Sequence, residues 1–126
     1  MDMQSDLARA RGTGSAKEGI GHWWMQRLTA IALVPLSLWF VISALSLGGL
    51  DLAGFKAWLN APGNLLLMIL FVFCSFYHMM LGLQVVVEDY VHTESSKVAL
   101  LVVNTLGTVF IGASCIVALL KVALGG

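Results

Sequence analysis

Three long apolar stretches constrain the fold of this chain more than any other feature. They cover residues 28–47, 65–87 and 98–122, and nearly all charged side chains lie outside them. A helix of roughly 20 apolar residues is long enough to cross the hydrocarbon core of a bilayer. The stretches are continuously apolar rather than alternating, which disfavours the strands of a membrane β-barrel. We therefore predict an all-α integral membrane protein with three transmembrane helices, over about residues 28–47, 65–90 and 97–122.

The composition supports a membrane location. Hydrophobic residues make up 59% of the 126 residues and charged residues only 11%, with a formal net charge of zero. Soluble domains usually carry about 25% charged residues, so this chain has too little polar surface to be one. The zero net charge also gives no basis for binding nucleic acid. We divide the chain into a flexible polar arm, residues 1–18, and a membrane anchor domain, residues 19–126.

Positive charge is concentrated before the first apolar stretch. Arg9, Arg11, Lys17 and Arg27 precede or begin it, whereas the first connection contains only Lys56. By the positive-inside rule, the N-terminus is cytoplasmic. Three spans then place the second connection on the cytoplasmic side and the C-terminus in the periplasm. The sequence has no transit segment rich in Arg and Ser, which favours a bacterial inner membrane.

Polar and small residues predict several local features. Asp51 is expected to cap a short amphipathic helix on the outer surface, and Asn64 to cap the second long helix. In the third long helix, Asn104 can bond across to a neighbouring helix. Gly107 and Gly112 are small enough to permit close approach of helices. We therefore expect the three spans to pack against one another.

One ionisable residue lies deep within the second apolar stretch. His78 has apolar neighbours on both sides, and an ionisable group in hydrocarbon normally faces protein, a cofactor or water. Imidazole is a common axial ligand of haem iron. Gly82 lies one turn further along the same helix face, where it leaves room for a flat macrocycle against the backbone. A simpler alternative also accounts for His78, namely a hydrogen bond to a neighbouring helix.

A pair of polar residues follows on the same face of the second helix. Asp89 comes eleven residues after His78, which is three helical turns plus roughly 20°, or about 16 Å along the axis. Asp89 and Tyr90 therefore lie at the cytoplasmic mouth of the face that carries His78. Taken singly, Tyr90 is typical of an interface anchor, Asp89 of a solvated charge at a helix end, and Arg27 of the inner boundary of a span.

The chain does not supply a second histidine for the same iron. His92 lies about 21 Å from His78 along a continued helix, and His22 lies near the membrane surface at the start of the first helix. Haem in an electron-carrying membrane protein commonly has two axial ligands. If His78 binds haem, another polypeptide must supply the second ligand and half of the pocket.

These residues resemble a known family. The string His78-x3-Gly82-x-Gln84-x4-Asp89-Tyr90 is similar to the second helix of the hydrophobic membrane anchor subunit of succinate dehydrogenase, or succinate:quinone oxidoreductase. The spacing from the histidine to the Asp-Tyr pair is specific when it is found inside a hydrophobic span.

The opening of the first helix carries a further part of the resemblance. Residues 22–30 are similar to the segment in which that family places a histidine before an Arg-x-Thr-Ala string. The sister membrane protein of the same complex, its cytochrome b subunit, looks different. It has a Ser-x-x-His-Arg string before helix one and an Arg-His pair near the end of helix two. Neither string is present here, and the resemblance to the hydrophobic anchor covers roughly residues 15–122.

The resemblance implies roles for individual residues. His78 would be one axial ligand of a haem b, with the other ligand from the cytochrome b subunit. Tyr90 would hydrogen-bond a quinone carbonyl at the cytoplasmic mouth, and Asp89 would support that site and its proton supply. Arg27 and His22 would lie near the haem propionates.

The resemblance also implies partners and an activity. The chain would join the cytochrome b subunit, an iron–sulfur subunit and a flavoprotein subunit in respiratory complex II, and would not be active alone. Electrons would pass from the iron–sulfur subunit to ubiquinone or menaquinone. Two other functions stay open: a proton-pathway subunit that uses His78 and Asp89 as a relay, and a structural anchor without a cofactor.

Overall fold

The computed structural model describes residues 5–7 and 17–125, and within these ranges it is helical without any strand. We number the helices α1 (Lys17–Leu47), α2 (Leu52–Leu59), α3 (Asn64–Tyr90) and α4 (Glu94–Gly125). Helices α1, α3 and α4 are each long and apolar enough to cross a membrane. The prediction of an all-α subunit with three membrane helices is therefore confirmed. Most of the predicted arm, residues 1–18, lies outside the described residues.

Helix α3 is the central element of the fold. It packs along α1 on one side and along α4 on the other, whereas α1 and α4 hardly touch each other. The three long helices therefore form an open layer rather than a closed triangle. As a result α3 contributes residues to both of the major helix–helix contacts.

Helix α1 extends well beyond the apolar stretch that marks its span in the sequence. It begins at Lys17, eleven residues before residue 28, and continues through Pro35 to Leu47. The hydropathy of a segment reports where a chain is apolar, but a helix continues through polar residues for as long as its backbone bonds are satisfied. The consequence is that His22 lies on the second turn of a helix rather than in the segment before it.

The contact between α1 and α3 is antiparallel and combines aromatic and polar residues. The rings of Phe40 and Phe71 stack with centroids 4.6 Å apart. Nearer the other end of the contact, Thr29 of α1 is buried against His78 of α3. Residue numbers rise along α1 as they fall along α3, so the beginning of α1 and the end of α3 lie at the same end of the molecule.

The contact between α3 and α4 confirms two of the sequence predictions. Asn104 Nδ2 donates a hydrogen bond to the backbone carbonyl of Met80 at 3.0 Å. Gly112 is buried against Phe76, and a Cβ at that glycine would lie 3.4 Å from the Phe76 Cγ. Gly107 is different, because no described residue of another helix lies within 4 Å of its Cβ position. The prediction of a close helix approach is therefore confirmed for Gly112, whereas Gly107 meets no neighbouring helix among the described residues.

The short helix α2 begins as predicted. The Asp51 carboxylate accepts a hydrogen bond from the Gly54 amide at 2.8 Å, which is an N-cap interaction. Leu59 at the end of α2 is fully buried, and the Trp58 ring stacks on Trp39 of α1 with centroids 5.8 Å apart. Because α2 also contacts α3 and α4, it closes one end of the layer.

The predicted cap of the second long helix was wrong. Gly63, with a φ of 87°, occupies the N-cap position of α3 and makes no side-chain cap bond. Asn64 Nδ2 instead donates to the carbonyl of Trp58 at 2.8 Å. The left-handed conformation at this turn favours glycine, which is why Gly63 takes the cap position. The Asn64 amide instead links the start of α3 to the end of α2.

Candidate functional site

His78 lies in the middle of α3 and faces α1. Its side chain is half-buried, and its Nδ1 is 2.9 Å from the Thr29 Oγ1. The second ring nitrogen, Nε2, makes no hydrogen bond to any of the residues that the structure describes. Thus Nδ1 of the imidazole is held by Thr29 of the neighbouring helix, and Nε2 has no partner among the described residues.

One turn beyond His78, Gly82 also faces α1. The nearest atom to its Cβ position is the Gln26 Nε2, at 3.7 Å, which is an ordinary van der Waals distance. Gly82 therefore keeps the α3 backbone open beside His78, with the amide of Gln26 as the boundary on the α1 side. The predicted opening next to the histidine is narrow in this chain and lined by a polar group.

A row of polar residues runs along the face of α1 that meets α3. His22, Gln26 and Thr29 are spaced at i, i+4 and i+7, which places them on one side of the helix. His22 Nε2 and Gln26 Oε1 are buried and have no hydrogen-bond partner among the described residues. An unpaired buried polar atom is costly, typically about 1–3 kcal/mol, so two such atoms on residues one helical turn apart indicate a place for a polar group or water.

Arg27 lies on a different face of α1 from this row. Five residues separate it from His22, which corresponds to a rotation of about 140° around the helix axis. Its guanidinium lies over the ring of Trp23, 5.5 Å from the centroid, and the described residues contain no ion pair between Arg27 and Asp89. Within this chain, the side chains of Arg27 and His22 therefore extend from different faces of α1.

Asp89 and Tyr90 are the last two residues of α3, and both are exposed, Tyr90 by 76% of its surface. Along the helix axis, Asp89 lies about 16 Å and Tyr90 about 18 Å from His78. A hydrogen bond of 3.0 Å joins Gln84 Nε2 to Glu88 Oε1 on the same turns of the helix. The phenol and the carboxylate are thus presented together at the end of α3, open to a partner or a ligand.

Two residues of this site, Thr29 and Gln26, were not predicted from the sequence. They belong to residues 22–30, which resemble the opening of the first helix in the anchor subunit family, but no role was predicted for either side chain. The signal that would have found them is the polar row itself, since His22, Gln26 and Thr29 recur at helical spacing in a segment that is otherwise largely apolar.

A half-open apolar cavity of about 330 Å³ between α3 and α4 is separate from the residues described above. Phe76 and Met80 of α3 line it together with Thr108 and Gly112 of α4. It presents almost no polar surface and includes neither His78 nor any residue of the polar row on α1. The polar side chains near His78 therefore lie between α3 and α1, and not between α3 and α4.

Comparison with known proteins assigns the chain to a family. Residues 1–118 match the succinate dehydrogenase/fumarate reductase transmembrane subunit family. The chain belongs to this family. A succinate dehydrogenase hydrophobic membrane anchor subunit of Rickettsia bellii is 40% identical over 101 residues, which is 80% of this chain and 81% of the relative. The protein of that name from Paracoccus denitrificans is 31% identical over 116 residues, 92% of this chain and 89% of the relative.

The family predicted from the sequence is therefore confirmed, and with it the resemblance to the anchor subunit of succinate dehydrogenase. The Rickettsia conorii relative, also a hydrophobic membrane anchor subunit, is 34% identical over 103 residues, 81% of this chain and 82% of the relative. No solved structure matches the chain.

The described ranges hold no complete set of metal ligands. No group of three or more His, Cys, Asp or Glu side chains is arranged there to hold a metal ion. A haem iron takes four of its ligands from the porphyrin, so it needs only one axial side chain from this subunit. Within the described residues, His78 would therefore be the single protein ligand that this part of the chain offers to such an iron.

Proposed function

We propose that this chain is the hydrophobic membrane anchor subunit of a succinate:quinone oxidoreductase, respiratory complex II. In that complex it would join a cytochrome b subunit, an iron–sulfur subunit and a flavoprotein subunit in a bacterial inner membrane. Support comes from the relatives, which carry the name of this subunit and align over most of the chain. Its part in the reaction is to hold a cofactor and the quinone, so activity belongs to the assembled complex.

His78 provides one axial ligand of a haem b in this proposal. The single observation that carries the assignment is the state of its ring, with Nδ1 held by Thr29 and Nε2 without a partner among the described residues. Histidines that bind metal commonly have their other nitrogen hydrogen-bonded in this way. When bound, haem b supplies one-electron transfer between its ferric and ferrous states.

The residues beside His78 fit a flat group with acidic edges. Gly82 keeps the α3 backbone open at the level of the ring, and a macrocycle lying there would contact the Gln26 amide. His22, about 10 Å from Thr29 toward the start of α1, would lie near a propionate. Arg27, which is exposed on a different face of α1, would lie near the second propionate from outside the α1–α3 contact.

The second axial ligand belongs to the cytochrome b subunit in this proposal. His22 is seven residues from Thr29 along α1, or about 10 Å, and His92 lies beyond the end of α3. Neither imidazole can reach the iron that His78 binds. The open layer formed by α1, α3 and α4 leaves the His78 edge accessible to a second chain, and one haem would then join the two proteins.

Tyr90 and Asp89 form this chain's part of a quinone site. Reduction of a quinone requires two electrons and two protons. The Tyr90 hydroxyl would donate a hydrogen bond to a quinone carbonyl, and the Asp89 carboxylate would pass protons from the cytoplasm to the reduced oxygen. Both side chains lie at the exposed end of α3, where a quinone headgroup can arrive from the membrane and protons from water.

Two alternatives predict different behaviour of His78. A structural anchor without a cofactor would use the bond to Thr29 only to join α1 to α3. A proton-pathway subunit would need further ionisable groups at the depth of His78 on α1 or α4, and the described residues there offer uncharged polar groups such as Thr29 and Asn104. The haem proposal differs from both because it requires an iron-bound Nε2.

The deciding experiment is the replacement His78→Ala in the whole complex. We expect the haem to be lost or greatly weakened while the three spans still insert, measured by a reduced-minus-oxidised spectrum and by haem content per complex. His92→Ala is the matched control, since His92 is exposed outside the helices, and it should keep a full complement of haem. A normal haem content in His78→Ala would refute ligation.

A further inference from the structure

We infer that Thr29 is a positioning residue for His78, because it fixes which ring nitrogen carries the proton and so directs an unprotonated Nε2 outward. The inference rests on the proposed function and adds to it a residue outside the ligand itself. Thr29 does not touch a cofactor or substrate in this account. It acts through the imidazole of His78, to which it is joined by the only hydrogen bond between α1 and α3 side chains in the described residues.

The contacts of the Thr29 hydroxyl determine the direction of that bond. Its Oγ1 lies 2.7 Å from the Met25 carbonyl oxygen and 3.1 Å from the Gln26 carbonyl oxygen. Carbonyl oxygens only accept, so the single hydroxyl proton points to them. The lone pairs of Oγ1 are then left for His78, and Nδ1 at 2.9 Å must be the donor. This is the one assignment that satisfies all three contacts.

The backbone of α1 holds the hydroxyl in place. The bond to Met25 links residues i and i−4, which fixes the side-chain rotamer of a β-branched threonine on its own helix. Thr29 is also buried, so water does not compete for the bond. The plane of the His78 ring is therefore set by α1 as well as by α3, and it does not depend on the arrival of another chain.

The consequence concerns the other edge of the ring. With the proton on Nδ1, the Nε2 of His78 carries a lone pair, which is the form that binds iron. The Nε2 nitrogens of His22 and His78 both have no partner within the described residues. The Nε2 of His22 is fully buried, whereas the Nε2 of His78 is not, so the His78 nitrogen stays accessible from outside the chain. Thr29 thus presents a ready ligand to a cofactor that is shared with a second protein.

Loss of this bond should change the haem as well as the packing. A hydrogen bond from Nδ1 makes the imidazole a stronger donor to iron and favours the ferric state, and removal of such outer partners typically costs about 10–100-fold in metal affinity. In Thr29→Val, which has nearly the same shape, we expect haem to leave the purified complex for an excess of apoprotein acceptor roughly tenfold faster. We also expect the midpoint potential of the haem to shift in the positive direction.

Two further variants separate the hydroxyl from the packing. Thr29→Ser keeps the hydroxyl and loses only a methyl group, so it should retain the wild-type potential and rate of haem loss. Thr105→Val removes a hydroxyl from an exposed position on α4 and should change neither quantity. A wild-type potential and rate in Thr29→Val, or an equal shift in Thr29→Ser, would overturn the inference.

The outcome for His78→Ala distinguishes this inference from the proposed function. If His78→Ala keeps its haem, the proposed function fails and Thr29 loses its role with it. If His78→Ala loses haem while Thr29→Val matches the wild type, only the inference about Thr29 fails. Should Thr29→Val not assemble, a structure of the wild-type complex decides: an Oγ1–Nδ1 contact within hydrogen-bond distance at haem-bound His78 supports the inference, and a longer separation refutes it.

Discussion

At the scale of single residues, the end of α3 offers a phenol and a carboxylate on consecutive positions. Tyr90 and Asp89 are both exposed, and their side chains make no hydrogen bond to the described residues, so both side chains are accessible to another molecule. The other tyrosine, Tyr77, is half-buried within α3 and stacks on Phe73 with centroids 5.7 Å apart. The two tyrosines therefore have different environments, which makes them a matched pair for experiment.

We expect Tyr90→Phe to lower succinate–quinone reductase turnover by about tenfold or more, because the proposed hydrogen bond from the phenol to the quinone carbonyl would be lost. Succinate oxidation with a water-soluble acceptor that bypasses the quinone site should be unchanged, and so should the haem spectrum. Tyr77→Phe is the control and should leave all three measurements at wild-type values. A Tyr90→Phe complex with normal quinone turnover would remove Tyr90 from the site.

At the scale of elements, small and polar residues decide how the helices approach one another. On α4, Gly112 faces the Phe76 ring of α3, and Asn104, about two turns nearer the start of α4, bonds to an α3 carbonyl. On the opposite side of α3, Gly82 faces Gln26 of α1 with more room. Lipid is as apolar as the side chains of a span, so close packing and hydrogen bonds rather than hydrophobicity hold membrane helices together.

We expect Gly112→Val to destabilise the assembly by about 1–3 kcal/mol, because its γ carbons would collide with the Phe76 ring. The measurement is thermal denaturation of the purified complex in detergent. Gly112→Ala is the graded control, since its Cβ would lie at 3.4 Å from the ring and needs little adjustment. The pair Gly112→Val with Phe76→Leu should recover part of the loss, and strict additivity of the two changes would argue against this contact.

At the scale of the whole molecule, the chain is an incomplete bundle. Of the most apolar 18-residue window in each span, only 11%, 6% and 11% of residues are buried for α1, α3 and α4. Nearly every residue of these segments thus keeps part of its surface exposed, where lipid or another protein can contact it. The open layer around α3 is consistent with a polypeptide that completes its fold, and the proposed cofactor site, only in a complex.

The orientation of this layer in the membrane is a further prediction. The basic residues before and at the start of the first apolar stretch place the N-terminus in the cytoplasm, and three spans place the C-terminus in the periplasm. A phosphatase that is active only in the periplasm should therefore be active when fused after Gly125 and inactive when fused after residue 93, in the loop between α3 and α4. The reverse pattern of activity would show that Asp89 and Tyr90 face the periplasm.

Much of the fold could be predicted from hydropathy and local chemistry. The three spans follow from apolar stretches of sufficient length, and the cap at Asp51 follows from an acidic residue before a short amphipathic segment. The start of α1 could not be found in this way, because polar residues from Lys17 onward continue the helix without any change in backbone geometry. The cap at Gly63 was missed because its left-handed φ competes with the side-chain preference of Asn64.

The sequence by itself determined that the chain has three stretches able to cross a membrane, that one imidazole lies at depth, and that its spacing from Asp89 and Tyr90 is typical of one family. Only the tertiary structure decided that Thr29 is the partner of His78 and that Gln26 faces Gly82. The physical reason is that the apolar side chains of a span are equally stable against lipid and against another helix. Hydropathy therefore specifies which segments enter the membrane, whereas the steric fit and hydrogen bonds between helices specify which faces meet.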